Sequence, residues 1–223
     1  ASGVGANTLM FADSFTFIFN SILLLGTALV LLLSVGNLTG QGLKNTFDID
    51  VLVLLATLGG MVMVSASNLI LLFIGFELLS VAVYALAGSA RREKASAEAG
   101  LKYFLLGALS SAFLLYGMVL VYGATGSMEI HEIAGLVSAD NSMLLFGLGM
   151  LIFGFAFKVG LIPFHFWAPD VYHGSPLTIT TYMAVVVKTA AVGAFLRVMY
   201  IGFADIFAVW SYAFWLLAIL TMT

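Results

Sequence analysis

The stretch FGFAFKVGLIPFHFWAPD, residues 153–170, sets a lysine, a histidine and two prolines in a run of apolar residues that has further apolar runs on both sides. Each of the four is costly inside a lipid-facing helix. Pro163 has no N–H, and its ring clashes with the carbonyl four residues earlier, at Val159. Pro169 repeats the disruption. The apolar region around them, about 143–173, is also too long for one straight crossing, which takes roughly 20 residues. The stretch therefore predicts a discontinuous helix. Its first half carries Lys158, the break falls near Leu161–Phe164 at Pro163, and the second half ends by Tyr172. Unwound backbone at that depth is tolerated only against protein or a wet cavity, and transporters place ion sites at such breaks. Lys158 and His165 flank the predicted break.

Composition puts the whole chain in lipid. Of 223 residues, 62% are hydrophobic and 9% charged, and the mean hydropathy is +1.14. A soluble domain carries about 25% charged residues, so this chain cannot cover itself with a polar surface. It reads as an all-α, multi-pass membrane protein. A net charge of −3 is too small to imply nucleic acid or an acidic partner. With no cysteine, disulfides, iron–sulfur ligation and thiol chemistry are excluded. The first residues, ASGVGANTL, have neither an initiator Met nor a basic region before a short apolar core. The last apolar run stops at Thr223 without a polar flank. The expectation is a partial copy of a longer protein.

Seven spans are expected, at about 15–35, 49–66, 69–87, 99–122, 143–173, 176–199 and 205–223. They are helices because every backbone group in lipid must pair within its own segment, and no alternating ten-residue strand pattern of a barrel is present. The gaps are short. Residues 37–48 contain Lys44, and GSARREKASAE, residues 88–98, holds Arg91, Arg92 and Lys94. Residues 123–142 hold Glu129, Glu132 and Asp140 but no Lys or Arg. Counting crossings puts the first two gaps on one side and the third on the other. The positive-inside rule then makes the RREK loop, 88–98, cytoplasmic and the acidic loop external. Ser65–Asn68 must be a tight turn on the outer side. Gly59, Gly60, Gly107 and Gly117 lie within helices, where small residues allow close packing.

Three spans carry an ionisable residue near the centre: Glu77 in FIGFELLSV, Lys158 in the opening stretch, and Lys188 in MAVVVKTAAV. Lys102 and Arg197 lie close enough to helix ends to snorkel, but these three do not. A central charge costs roughly 2.5–3.5 kcal/mol on insertion scales. A static ion pair between Glu77 and one lysine leaves the other lysine unexplained. Proton exchange accounts for all three, because burial favours a neutral lysine and a nearby carboxylate opposes it. The pairing favoured is Glu77 with Lys158. Lys188 is read as a fixed station in a continuous helix, with Thr180, Thr181 and Thr189 nearby and Thr181 on roughly the same face. His165 fits either a relay or a packing role. The scattered His131, His165 and His173 make no metal or haem site, and no Gly-rich phosphate loop is present.

The same residues carry a resemblance. FIGFELLSVAVYAL, EAGLKYFLLGALSSAFLLYGMVLVYGATGS and FKVGLIPFHFWAPDVYHGSPLTITTYMAVVVKTA are similar to the antiporter-like membrane subunits of proton-translocating NADH:quinone oxidoreductase, bacterial complex I. That family is shared with Mrp-type cation antiporters and membrane-bound hydrogenases. The pattern K-x4-P-x-H-x-W-x-P-D-x-Y-x-G-x-P, from Lys158 to Pro176, is specific to it, and PFHFWAPDVYHGSP favours the subunit N type. The resemblance implies one helix before a five-helix antiporter-like repeat at 49–199, with a second repeat absent. It implies that Glu77, Lys158 and Lys188 match the family's proton-path residues. It implies no cofactor in this chain, with NADH, FMN, iron–sulfur clusters and quinone on partner subunits. Partners would be other complex I membrane subunits, including further antiporter-like ones, in a bacterial inner membrane. A Na+/H+ antiporter or hydrogenase subunit is the nearest alternative reading, and a passive membrane scaffold is a third.

Overall fold

The helix starts follow from side chains that cap the first free N–H groups. Asp13 accepts from the Thr16 N–H at 2.8 Å and opens α1, Ser14–Ser34. Asn68 does the same for α3, Leu69–Ala87, which follows α2, Thr46–Ser65. The computed structural model describes residues 9–35, 46–90 and 92–223, so the expectations for Lys44 and Arg91 lie outside the described residues. Helix α4 spans Lys94–Thr125, 32 residues, and stops at Gly126, whose φ of 75° is the left-handed conformation of a helix C-terminus. A single turn, α5, Ile130–Ala134, sits in the acidic loop. Then come α6, Ser142–Val159, the half-helix α7, Ala168–Gly174, and α8, Leu177–Tyr182. Helix α8 runs through a π-helical turn, Met183–Val187, into α9, Lys188–Arg197, and a second π turn, Val198–Gly202. Helix α10, Phe207–Met222, ends the chain.

Seven of these helical stretches are long and apolar enough to cross a membrane. The described residues contain no strand, only two isolated bridges. The expected span at about 99–122 is longer than anticipated: its polar start, KASAEAG, is helical too, with Ser96, Ala99 and Gly100 buried.

The break is real, but its cause differs from the expectation. Helix α6 stops at Val159 because Gly160 adopts φ 81°, and its N–H closes on the carbonyls of Ala156 and Phe157. Residues 160–167 form the linker, wider than Leu161–Phe164, and Pro163 lies within it rather than at the point of termination. Pro169 is not a second disruption. It occupies the first turn of α7, where a missing N–H costs nothing. That half-helix runs to Gly174, past Tyr172.

The loop at Ser65–Asn68 is tight, as expected, and it shares one end of the bundle with both the N-terminal segment and the acidic loop. The Phe11 N–H donates to Ser65 O at 2.7 Å, Ser67 N–H to Leu9 O at 3.1 Å, and Ile130 N–H to Ser67 O at 2.9 Å. The pair α2 and α3 is held at backbone contact. A Cβ on Gly59 would stand 2.5 Å from the Leu79 nitrogen and 2.8 Å from the Gly75 oxygen. Small residues therefore set the distance at which α3, with Glu77, faces the rest of the bundle.

Candidate functional site

Lys158 sits in the last turn of α6, one residue before the helix ends. It is 1% exposed, so its ammonium must be satisfied from within. Nζ donates to Ser80 Oγ at 2.7 Å, and Ser80 Oγ donates onward to Phe76 O at 2.5 Å. Nζ also lies over the rings of Phe76, Tyr84 and Tyr103, at 4.9, 5.5 and 5.8 Å from their centroids. Glu77, Ser80 and Tyr84 recur three and four residues apart on α3, which puts them on one stripe of the helix.

The favoured contact between Glu77 and Lys158 is not the one formed. The ion pairs among the described residues join Lys102 to Glu98 and Asp170, and Arg197 to Asp13. Ser80, one turn along the stripe from Glu77, takes the Lys158 ammonium instead. Glu77 is half-buried, and its Oε1 is buried without a hydrogen-bond partner. A buried carboxylate oxygen with no partner is the kind of group that an ordered water or a moving proton donor satisfies.

Lys188 begins α9 directly after the π turn. It is half-buried, and its Nζ lies 5.5 Å from the centroid of the Tyr172 ring, its one described contact of note. The helix is continuous here but not uniform. The wider turn at Met183–Val187 alters which residues share a face, so the two-turn count that aligned Thr181 with Lys188 does not hold. Thr180 and Thr181 spend their hydroxyls on the carbonyls of Tyr172 and Leu177. His165 is exposed in the linker, and no side-chain contact joins it to either lysine. Its carbonyl accepts the Ala168 N–H at 2.9 Å, at the start of α7.

Lys102 is exposed, as a snorkelling lysine would be, and bridges Glu98 and Asp170, each at 2.6 Å. This ties α4 to the half-helix α7. Arg197 corrects its expectation. It is 3% exposed and grips Asp13 with two nitrogens, at 2.7 and 2.9 Å, and Thr16 Oγ1 at 2.6 Å. The guanidinium beside Asp13 holds its carboxyl well below the usual carboxylate range. No three His, Asp or Glu side chains converge to hold a metal among the described residues.

Sequence reasoning missed Ser80, Tyr84, Tyr103, Trp167 and Tyr172. Ser80 had a signal, its position three residues after Glu77, and Trp167 and Tyr172 stand in the pattern from Lys158 to Pro176; Tyr84 and Tyr103, tyrosines in apolar helices, had none.

The chain is similar to known proteins over most of its length. Residues 66–223 match the family model described as NADH:quinone oxidoreductase/Mrp antiporter, TM. NADH-quinone oxidoreductase subunit N of Trichlorobacter lovleyi is 43% identical over 95% of this chain and 44% of the relative. The chain thus spans less than half the length of the curated relatives it matches. A chain of respiratory complex I from Thermus thermophilus with bound aureothin superposes with a TM-score of 0.75 at 39% identity, over 86% of this chain and 42% of that one. A chain of the membrane-bound sulfane sulfur reductase, an archaeal respiratory membrane complex, gives a TM-score of 0.69 at 30% identity, over 86% of this chain and 40% of that one.

Proposed function

Because the chain belongs to the NADH:quinone oxidoreductase/Mrp antiporter transmembrane family, we propose that it is a proton-translocating membrane subunit of a bacterial NADH:quinone oxidoreductase, of the subunit N type. Protons pass by way of Glu77, Lys158 and Lys188. Residues 49–199 form one antiporter-like repeat, and the remainder of the path lies outside this chain. NADH, flavin, iron–sulfur clusters and quinone belong to partner subunits, so the energy for transport arrives from elsewhere in the complex. The partners are other membrane subunits, further antiporter-like ones among them. The membrane is the bacterial inner membrane, with the 88–98 loop in the cytoplasm.

One observation carries the reading. Lys158 is buried at the end of a half-helix, and its ammonium rests on a neutral serine instead of a carboxylate. A structural charge in this position would be expected to sit on its counter-ion, since a buried unpaired charge is costly. Here Glu77 lies on the same stripe of α3 as Ser80 with an oxygen free. A small shift of α6 at its Gly160 end moves Nζ between serine and carboxylate. That shift changes which form of the lysine is favoured, and so picks up or releases a proton. Moving one charge against 100 mV costs about 2.3 kcal/mol, which the redox chemistry on the partner subunits supplies.

Inside-out vesicles carrying the complete complex test it. NADH should drive proton uptake in sodium-free buffer, with no added requirement for Na+. Proton movement that needs Na+ and not NADH would assign the chain to a cation antiporter, the other branch of its family.

A further inference from the structure

The two lysines are linked by a connected set of aromatic rings that the proton path does not use. Tyr103 of α4 is fully buried and stacks on Trp167, with centroids 4.6 Å apart and planes 15° from parallel. Trp167 is 2% exposed and ends the linker. Its Nε1–H donates to Phe157 O at 3.0 Å, a carbonyl at the α6 terminus. Trp167 and Tyr172 meet edge to face, with centroids 5.6 Å apart and planes at 88°, and the Tyr172 ring faces Lys188 Nζ. On the other side, Tyr103 meets Tyr84 edge to face at 4.9 Å, and the Tyr84 phenol lodges where Gly107 of α4 has no side chain.

We propose that Phe76, Tyr84 and Tyr103 form a box of ring faces that holds the Lys158 ammonium, and that Trp167 is the positioning residue that sets this box from the linker. The proposal rests on the reading of Lys158 as a proton carrier. An ammonium has three N–H donors, and among the described residues Ser80 Oγ is the one hydrogen-bond acceptor Nζ has. The ring faces attract the cation, more strongly when water is excluded. The Tyr103 hydroxyl is buried without a partner, so what that residue offers Lys158 is its face. A linker movement displaces Trp167, tilts Tyr103 away from Lys158, and shifts Tyr172 under Lys188 at the same time. The break and both lysines then change together.

The test is the number of protons pumped per quinone reduced, measured in vesicles carrying the assembled complex. Tyr103→Leu removes a ring face from the ammonium and Trp167→Leu removes the support behind it, so each should lower this ratio to that of the assembled Lys158→Ala complex, the loss of this subunit's share. Tyr103→Phe keeps the face and should pump as the unmodified protein does. Trp167→Phe keeps the stack without the hydrogen bond and should restore most of the ratio. If Tyr103→Phe fails as badly as Tyr103→Leu, the hydroxyl is the working group and the box is wrong. If Tyr103→Leu pumps normally while Lys158→Ala does not, the box is wrong and the carrier stands. If Lys158→Ala pumps normally, the reading beneath the proposal falls. Should Tyr103→Leu prevent assembly, Phe76→Leu removes the wall nearest Nζ, 4.9 Å away, with no hydroxyl to lose, and should lower the ratio in the same way; a normal ratio there would overturn the box.

Discussion

Glu77 and Ser80 divide between them what a single carboxylate was expected to do. The serine holds the lysine in the observed arrangement, and the glutamate keeps a free buried oxygen nearby. Glu77→Gln should therefore cut proton pumping sharply while leaving assembly intact, and Glu77→Asp should retain part of it, as measured by the proton-to-electron ratio. Equal loss in both variants would make side-chain reach, and not charge, the property that matters. At the far end of the bundle, Asp13 gives a pH signature. Its folded carboxyl is held below its unfolded value by the Arg197 hydrogen bonds. The stability this contributes is present above the unfolded value, about 3.9, and is lost as pH falls toward the folded one. The purified protein should lose thermal stability on acidification below about pH 4, and Asp13→Asn should flatten that part of the curve. The charged residues in the middle of spans were legible because such charges are rare and expensive. The partner of Arg197 was not, since Asp13 lies 184 residues away in sequence and only the folded bundle brings the two together.

The element that matters most is the broken helix, and its existence was legible from excess length and two prolines. Its mechanics were not. The stop belongs to Gly160, because a left-handed C-terminal residue closes α6 before Pro163 is reached. Gly160→Ala should cost about 1–2 kcal/mol, read as a lower melting temperature of the purified complex, whereas Pro163→Ala should leave the α6 terminus in place. The π turn before Lys188 was invisible in sequence, since nothing about MAVVV distinguishes it from an ordinary helical run. It leads into a lysine that is half-buried, where Lys158 is enclosed. A small amine-reactive reagent, followed by mass spectrometry, should label Lys188 in the intact complex and spare Lys158. Equal labelling of the two would show that the box around Lys158 opens freely to solvent.

At the scale of the molecule, seven hydrophobic spans and their order could be read directly, since each apolar run had to become a helix in lipid. The end of the bundle formed by Leu9–Phe11, Ser65–Asn68 and Ser127–Ile130 needed the fold, because its backbone hydrogen bonds join three distant segments. Helix α10 is the least enclosed of the spans, and most of its aromatic and aliphatic residues face outward. The relatives are more than twice as long as this chain, so the proposed transport must be tested in the complete complex. The most direct measurement is the proton-to-electron ratio of NADH-driven pumping in vesicles that carry the assembled complex with Lys158→Ala. The complex should assemble and reduce quinone while the ratio falls, and Lys158→Arg should not restore it, because arginine stays charged and cannot give up its proton. A normal ratio in assembled Lys158→Ala complexes would contradict a proton path through this lysine and leave it a buried structural charge.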